Sequence, residues 1–215
     1  MLTVAIVRPY RPSDPAELSE IYDVCVRTAA AGGDARGRYS SDDLMPDLFA
    51  GPYLALAPEL AFVLHDDTRV VGYVLGTADT PAFVNAYRQQ WLPRLAGRYP
   101  TPPDPPVTDE QRLLAAGLNP QGLLLPELTP YPAHLHIDLL PDQQGHGYGR
   151  QLITTFLAAV AAAGTDAVHL GMDPSNGGAR AFYLRLGFHP IPVSRPGTLY
   201  LGRSTQPDSS PTRPG

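Results

Sequence analysis

Residues 134–150, HLHIDLLPDQQGHGYGR, decide the fold of this chain. The first seven residues of the stretch are rich in β-formers, and Pro141 with Asp142 ends the run because proline cannot donate to a strand ladder. A glycine-rich turn follows, and beyond it apolar residues recur at helical spacing, namely Leu152, Ile153, Phe156, Leu157 and Val160. The stretch therefore predicts a strand, a glycine-rich turn and an amphipathic helix in succession.

The turn has the spacing Q-x-x-G-x-G, carried by Gln144, Gly147 and Gly149. Glycines let several backbone N–H groups converge on a ligand, and the first turn of a helix adds unpaired N–H groups and a partial positive charge. This combination predicts an anion site suited to a pyrophosphate. Two other glycine motifs are excluded. A P-loop needs a lysine, which the chain lacks, and the dinucleotide fingerprint G-x-G-x-x-G fails at Arg150 and Leu152.

The strand and turn resemble motif A of the GNAT acetyltransferase superfamily, in which a hydrophobic strand and a proline-containing turn precede Q/R-x-x-G-x-G/A. The family's second motif, N-x-x-A-x-x-F-Y-x-x-x-G-F, is matched at Asn176, Ala179, Phe182, Tyr183, Gly187 and Phe188. Around residues 131–138 the chain is more closely similar to bacterial relatives of the acetyltransferase-like C-terminal domain of O-GlcNAcase. The resemblance implies an α/β (α+β) protein with the GNAT fold, a mixed central sheet of about six to seven strands flanked by helices.

Composition and charge narrow the class of protein. The 215 residues are 43% hydrophobic, which predicts one domain with a real core over residues 1–203 and a disordered Ser/Pro/Thr/Gly-rich tail over 204–215. A net charge of −5 argues against nucleic acid or an anionic membrane as partner. Cys25 is the only cysteine, which excludes an internal disulfide and a cysteine metal cluster. The N-terminus lacks a charged signal-peptide region and no apolar run approaches a membrane span, so a soluble cytoplasmic protein is expected.

The elements before motif A follow the family order. Residues 2–7 predict a strand, and a helix then begins after Asp14, with Pro15 at its first position and Glu17 completing a capping box. Ser41 starts a second short helix. Residues 60–65 and 70–77 are two strands of a hairpin.

Residues 79–132 form an insertion before the central strand. They predict helices over 83–95 and 108–116, separated by a proline-dense segment. The insertion is either a packed decoration or a lid that encloses the acceptor site; in the closer relatives it is associated with a tunnel. Tyr87 and Trp91 are expected to contact the substrate. Together with three arginines, Arg88, Arg94 and Arg98, they allow an aromatic amine or an anionic acceptor.

Four elements are expected after motif A. A strand is predicted over residues 167–172, a helix over 177–186, and a closing hairpin over 188–193 and 198–201.

The resemblance implies acetyl-CoA as co-substrate. Gln144 and the backbone N–H groups of the turn are the expected pyrophosphate contacts, the turn comprising Gly145, His146, Gly147, Tyr148, Gly149 and Arg150. The backbone of Leu139 and Leu140 is expected to pair with the pantetheine arm. Asn176 is expected near the pantetheine or the thiol end, unless it is only a helix cap. Tyr183 matches the family's general acid, which protonates the leaving thiolate, and the alternative is a core tyrosine.

The general base is the open question. His134, His136 and Asp138 alternate, so a regular strand places all three on one face. His136 and Asp138 are the favoured bases and His134 a substrate contact. Many family members place the base at positions held here by Ala133 and Leu135, which a bulge in the strand would reconcile. A structural hydrogen-bond cluster and a metal site on H-x-H-x-D remain alternatives.

The function implied is an acetyl-CoA-dependent N-acetyltransferase that acts on a primary amine, expected to be that of a small molecule, by direct attack in a ternary complex. The alternative is a non-catalytic module that binds acyl-CoA or a protein partner. A monomer and a homodimer are both compatible with the sequence.

Overall fold

Seven strands form one mixed sheet in the computed structural model, which describes residues 5–30 and 32–206. The strands are β1 (Ile6–Pro9), β2 (Phe62–His65), β3 (Val70–Thr77), β4 (Ala133–Leu139), β5 (Ala167–Met172), β6 (His189–Ile191) and β7 (Leu199–Ser204). Their order in the sheet is β1-β2-β3-β4-β5-β7-β6. Only β4 and β5 pair in parallel, and every other neighbouring pair is antiparallel.

Helices cover both faces of the sheet. The α-helices are α1 (Pro15–Thr28), α2 (Leu44–Phe49), α3 (Gly51–Leu56), α4 (Thr80–Ala86), α5 (Leu92–Leu95), α6 (Asp109–Gly117), α7 (Tyr148–Ala162) and α8 (Gly177–Arg185). Helices α1 and α3 pack on β3, and α7 packs against β2, β3 and β4. None of the described helices is both long and apolar enough to pass through a membrane.

Helix α7 has the apolar face that its spacing predicts. Leu152, Ile153, Phe156, Leu157 and Val160 are all buried against the sheet. The close approach of this helix requires Gly76 on β3, because a Cβ there would lie 2.4 Å from the Phe156 ring. The predicted sequence of strand, glycine turn and helix is therefore confirmed.

The start of α1 differs from the prediction in one contact. Asp14 caps the helix by accepting from the Ala16 N–H at 3.0 Å. Glu17 does not complete a capping box, because its buried carboxylate accepts from the Arg11 N–H at 3.0 Å and pairs with Arg8 at 2.7 Å. This carboxylate therefore ties β1 to α1.

The insertion is folded, and its predicted first helix is divided. Helix α4 passes into a π-helical turn at Tyr87–Trp91 and then into α5, where Pro93 lacks the N–H that would continue the regular α-helical pattern. Helix α6 begins with the predicted capping box between Thr108 and Gln111. The first helix of the insertion packs into the main core.

Element bounds shift by a few residues elsewhere. Strand β1 starts at Ile6, and the first residues of its predicted range, among residues 1–4, lie outside the described residues. The segment that starts at Ser41 forms two short helices, α2 and α3. Strand β7 reaches Ser204 and the Thr205 N–H donates to the Asp166 carbonyl at 2.8 Å, so the sheet extends into the predicted tail. Residues 207–215 of that tail lie outside the described residues.

Strands β4 and β5 separate shortly after they meet. They pair only at Ala133 with Val168 and at His134 with His169. Beyond these residues β4 continues for five residues beside β3 alone. The sheet is therefore split between β4 and β5, and this gap positions the site.

Candidate active site

In β4, the backbone N–H and carbonyl groups of every second residue point toward the gap between β4 and β5. The register between β3 and β4 runs without a shift from Gly72 opposite Leu139 to Thr77 opposite His134. The Leu140 N–H donates to the Val71 carbonyl at 3.0 Å, and in an antiparallel pair every second residue bonds to the same neighbour. The polar backbone groups of Leu139 and Ile137 therefore point toward the gap.

Both backbone groups of Leu140 have hydrogen-bond partners within the protein. Its N–H is bonded to β3 and its carbonyl accepts from the Gln143 N–H at 2.9 Å, so both groups are already paired. The Leu140 N–H is therefore not free for a pantetheine arm in this structure, and the expected pairing of Leu140 stays a prediction. The Leu139 carbonyl accepts from the Gln144 side chain at 3.1 Å, which fastens the glycine turn to the strand.

The first cavity, of about 640 Å³, lies between the glycine turn, α1 and α8. Its lining includes Thr28, Gly32, Ile137, Asp138, Leu139, Gln144, Gly145, Gly147, Gly149, Arg150, Asn176, Gly178, Ala179, Phe182, Tyr183, Arg185 and Leu186. Most of the predicted cofactor-binding residues are in this set. The side chains of His146 and Tyr148 are not, and the Tyr148 hydroxyl instead accepts from the Ala5 N–H at 3.3 Å.

The glycine turn leaves its backbone accessible. Gly145 and Gly147 have φ of +80° and +86°, which glycine adopts readily, and nothing lies within 4 Å of a Cβ built on either residue. Gly147 precedes α7 and no side chain caps that helix, so the first N–H groups of α7 keep their capacity to bind an anion. Arg150 and Arg185 line the same cavity and add two positive charges. The residues present therefore fit a phosphorylated ligand.

Tyr183 and Asn176 lie at the α8 side of this cavity. The Tyr183 side chain is buried, and its hydroxyl has no hydrogen-bond partner among the described residues. Burial, and then the charge of Asp138, raise the pKa of Tyr183, so its proton is retained at neutral pH. Asn176 caps α8 by accepting from the Ala179 N–H at 3.0 Å, and it also lines the cavity. The cap and the ligand contact are therefore compatible.

Asp138 carries a half-buried carboxyl group with one strong partner. The Tyr73 hydroxyl on β3 donates to Asp138 Oδ2 at 2.6 Å. Burial raises the pKa of Asp138 from 3.8 to about 6, and the Tyr73 hydrogen bond opposes this rise. The carboxyl group thus titrates close to neutral pH beside the first cavity.

A second cavity, of about 270 Å³, lies in the gap between β4 and β5. Its lining comprises Leu123, His134, Leu135, His136, His169, Leu170, Gly171, Met172, Asp173, Gly197, Thr198 and Tyr200. Residues 134–136 of β4 line this cavity and the next three residues of the strand line the first one. The two cavities therefore adjoin along a single strand.

The insertion forms part of the second cavity's wall. Leu123, near the end of the insertion, is one of the lining residues. The Arg195 guanidinium from the closing hairpin donates to the Gly122 carbonyl at 2.7 Å and fastens that segment. One part of the insertion thus packs into the core, and another part lines the second cavity.

Two histidines on β4 share a tyrosine partner. The Tyr53 hydroxyl on α3 lies 2.8 Å from His134 Nε2 and 3.0 Å from His136 Nε2. Burial, and then the neighbouring His169, lower the pKa of His136 to about 4 and that of His134 well below its usual value. Both imidazoles are neutral at pH 7. Their Nε2 atoms converge on a hydroxyl group, and no set of three His, Cys, Asp or Glu residues suited to a metal occurs in 5–30 and 32–206.

Because β4 is a regular strand, its side chains alternate between the two faces of the sheet. His134, His136 and Asp138 share one face, as their alternation predicts, and Ala133 and Leu135 are buried on the other. The strand has no bulge against β3, so the positions that carry the base in many family members are apolar here.

Tyr87 and Trp91 belong to the core, and the structure does not support a substrate contact for either. Tyr87 is 3% exposed and its hydroxyl donates to the Gly117 carbonyl at 3.0 Å. Trp91 is 8% exposed and its indole N–H donates to the Asp47 carbonyl at 2.9 Å. The aromatic rings of Tyr87 and Trp91 pack between α2, α3 and α6. The helical spacing of these two residues therefore indicated a buried helix face rather than a substrate site.

The three arginines of the insertion also lie outside the lining of both cavities. Arg98 pairs with Asp43 at 2.7 Å and with Asp47 at 3.0 Å. Arg94 lies over the Trp91 ring, 5.5 Å from its centroid. The anionic acceptor that these charges allowed therefore loses its basis.

Several site residues could not be found from the sequence. Tyr53, Tyr73 and Thr80 reach the β4 side chains from distant segments, and none of them lies in a recognisable motif. For His169 the sequence held one indication of a site role, because it is a polar residue at an inward-facing position of a predicted strand. Its Nδ1 bonds to the Tyr131 carbonyl at 2.7 Å.

Comparison with known proteins places this geometry in a family. The model of the acetyltransferase (GNAT) family matches residues 34–188, which is more than half of the chain. Protein O-GlcNAcase of Rattus norvegicus is 26% identical over 186 residues, which is 86% of this chain and 20% of that protein. Protein O-GlcNAcase of Mus musculus matches with the same identity and coverage. The chain thus spans about a fifth of the length of these curated relatives.

Solved structures agree with this assignment. The crystal structure of SsHAT superposes with a TM-score of 0.89 at 54% sequence identity, over 94% of this chain and 99% of that one. The crystal structure of PH1933 from Pyrococcus horikoshii OT3 shares the fold, with a TM-score of 0.61 at 16% identity, over 94% of this chain and 98% of the other. The matched residues include β4, the glycine turn and α8, and the chain therefore belongs to the acetyltransferase (GNAT) family.

Proposed function

We propose that this protein is an acetyl-CoA-dependent N-acetyltransferase that acetylates the primary amine of a small molecule. The observation that carries the proposal is the pair of adjoining cavities along β4, one suited to a phosphorylated ligand and one lined by neutral imidazoles. Two substrates held on either side of one strand would react as if in a single molecule. We infer that residues 1–203 act as one domain in this reaction.

The first cavity is assigned to acetyl-CoA, which supplies the acetyl group as an activated thioester when bound. The glycine turn and the start of α7 bind the pyrophosphate, and Arg150 and Arg185 neutralise phosphate charge. The extended pantetheine arm pairs with the gap-facing backbone groups of Leu139 and Ile137, in the way that an added strand pairs with the edge of a sheet. Asn176 contributes its amide N–H, because the cap uses only its oxygen.

Proton transfer is assigned to three side chains. Tyr183 retains its proton at neutral pH and donates it to the leaving thiolate. His136 lines the second cavity and is neutral at pH 7, so one ring nitrogen is free to accept a proton from the amine, but its pKa of about 4 makes it the weaker base of the two candidates. Asp138 has a pKa of about 6 and is the other candidate base. The two bases differ in the cavity that they line, which makes their variants distinguishable.

The second cavity favours a small neutral or cationic amine. None of its lining residues is an arginine, its histidines with lowered pKa are uncharged at pH 7, and hydrogen bonds from Ser175 lower the pKa of Asp173. A volume of about 270 Å³ lies just below the roughly 300–1,000 Å³ typical of ligand sites. An amine with few heavy atoms therefore fits, whereas an anionic acceptor would find no positively charged side chain among the lining residues.

Binding of acetyl-CoA tests the assignment of the first cavity. Isothermal calorimetry on the wild type and on Gly147→Glu should show micromolar binding that the variant loses, because a carboxylate would occupy the anion site. Gly164→Glu is the matched control, since Gly164 has a φ of +84°, has open space around it and lies outside both cavities. Absence of binding by the wild type, or equal loss in both variants, would contradict the assignment.

Turnover tests the role of Tyr183. With a panel of small amines and a thiol-release assay, Tyr183→Phe is expected to lower kcat by about 10²-fold, the lower range for a general acid, and to leave acetyl-CoA binding unchanged. Tyr87→Phe is the control, because that hydroxyl bonds to backbone carbonyls in the core. Unchanged turnover in Tyr183→Phe would remove this residue as the acid.

A further inference from the structure

A chain of side-chain hydrogen bonds runs from a backbone carbonyl to His136. Thr80 Oγ1 lies 2.7 Å from the Pro132 carbonyl oxygen and 2.7 Å from His134 Nδ1. His134 Nε2 lies 2.8 Å from the Tyr53 hydroxyl, which lies 3.0 Å from His136 Nε2. Each hydroxyl has one proton and each neutral imidazole has one N–H, so the direction of one bond determines the direction of the others.

The direction is set at the Pro132 end. A carbonyl oxygen can only accept, and two oxygens 2.7 Å apart repel each other unless a proton lies between them. The Thr80 hydroxyl therefore donates to Pro132. Its oxygen is then the acceptor for His134, so His134 carries its proton on Nδ1.

The remaining bonds follow one after another. Burial keeps His134 neutral, so its Nε2 has no proton and accepts from the Tyr53 hydroxyl. The Tyr53 proton is thereby used, and the 3.0 Å contact with His136 requires His136 Nε2 to donate. His136 is neutral as well, which leaves its Nδ1 without a proton.

We propose that this hydrogen-bond chain holds His136 as the Nε2–H tautomer, so that its bare Nδ1 accepts a hydrogen bond and then a proton from an amine in the second cavity. Tyr53 and Thr80 are positioning residues, because they act on the amine only through the imidazoles. Nδ1 has no hydrogen-bond partner among the described residues, and it is not one of the fully buried, unpaired side-chain nitrogen or oxygen atoms of residues 5–30 and 32–206.

The proton transfer balances within this arrangement. The amine N–H bond breaks as a new N–H bond forms at Nδ1, and the positive charge moves from the amine to the imidazolium of His136. The Nε2–H of the imidazolium still donates to Tyr53, whose proton stays on the His134 side. A ligand that only accepts hydrogen bonds finds no donor at this nitrogen, which selects an amine with a free N–H.

The tautomers can be observed directly in the protein without any substrate. In ¹⁵N-histidine-labelled protein, long-range proton–nitrogen correlation spectra distinguish protonated from bare ring nitrogens. The expected pattern at pH 7 is Nε2–H for His136 and Nδ1–H for His134, with signals assigned from His136→Gln and His134→Gln. A His136 ring protonated on Nδ1, or divided evenly between tautomers, would overturn the proposal.

Thr80→Val gives the sharper test, because it removes an oxygen three hydrogen bonds away from His136 and keeps the side-chain shape. Without the Thr80 acceptor the direction is no longer set, and His136 should shift toward the Nδ1–H tautomer. Thr77→Val is the matched control, since the Thr77 hydroxyl bonds only to Asp79. An unchanged His136 spectrum in a folded Thr80→Val protein would overturn the proposal.

Tyr53→Phe interrupts the chain at its centre. The His136 signals should then show both tautomers, and kcat should fall about ten-fold with an unchanged Kd for acetyl-CoA, whereas Tyr87→Phe should alter neither. The role of His136 as the base rests on the proposed function, whereas the tautomers of the two histidines do not depend on it. Correct tautomers without acetyl transfer would refute the proposed function alone, and transfer with the wrong tautomers would refute only the hydrogen-bond chain.

Discussion

Replacement of Asp138 by asparagine should stabilise the protein at neutral pH. The carboxyl group is half-buried on β4, and its loss of solvation there raises its pKa from 3.8 to about 6. Asparagine has nearly the same shape, stays neutral, and can still accept the 2.6 Å hydrogen bond from the Tyr73 hydroxyl. The variant therefore removes the burial of a charge with little change in packing.

The magnitude follows from the two pKa values. A carboxyl group whose pKa is higher in the folded than in the unfolded chain contributes stability that is complete below pH 3.8 and is lost as the pH rises through about 6. The rise from 3.8 to about 6 corresponds to about 3 kcal/mol, of which about 2 kcal/mol is lost between pH 4.5 and 7.5. The Asp138→Asn variant has no such loss, because its amide does not titrate.

Urea unfolding at several pH values measures this difference. The stability of Asp138→Asn minus that of the wild type should grow by about 2 kcal/mol from pH 4.5 to 7.5, or by roughly 4–8 °C in Tm. Asp142→Asn is the control, because Asp142 is exposed beside the glycine turn and should give a constant difference. The histidines contribute equally to the pH dependence of stability in the variant and in the wild type, so their contribution cancels in the difference.

Parallel pH profiles for Asp138→Asn and the wild type would refute this reasoning. They would mean that the carboxyl group is well solvated or paired in solution. A loss of stability in the variant at pH 7.5 would have the same meaning, since it requires the carboxylate to be stabilised by the fold.

Three further predictions concern stability. Gly76→Ala should cost at least about 2 kcal/mol in urea unfolding, because its Cβ would lie 2.2 Å from the His134 carbonyl oxygen. Burial lowers the pKa of His136 from 6.5 to about 4, so stability is lost as the pH falls through this range; His136→Gln should remove up to about 3 kcal/mol of that loss, measured at pH 4 against pH 7. Thr108→Ala should cost about 1 kcal/mol, because it removes the capping box with Gln111 at the start of α6.

Each of these predictions has a matched control. Gly177→Ala should be close to neutral, since its Cβ would meet nothing within 4 Å and its φ is ordinary, and an equal cost at both glycines would contradict the steric argument. His146→Gln, at an exposed position, should leave the acid profile unchanged. Thr129→Ala, also at an exposed position, should be neutral, so that a similar loss there would show a general effect of the substitution rather than a lost cap.

Local patterns predicted most elements. The apolar spacing of α7, the capping box of α6 and the runs of β3 and β5 each depend on residues close in sequence, and all four are confirmed. The division of the helix at Tyr87–Trp91 and the core positions of Tyr87 and Trp91 were missed. Periodicity indicates which residues share a face, but the same aromatic spacing serves a core and a substrate site, and only the packing partner separates the two.

The sequence by itself determined the family, the glycine turn that opens toward an anion, and the face on which His134, His136 and Asp138 lie, because these depend on covalent spacing and on the two-residue repeat of a strand. Only the tertiary structure decided that β4 and β5 separate after His134, that two cavities adjoin along β4, and that Tyr53 joins the two histidines. These features require distant segments to meet, and the two contacts of Tyr53 join residues 81 and 83 positions apart. The protonation of an imidazole depends on such partners, because one hydrogen bond at a distant carbonyl sets the direction of all the others.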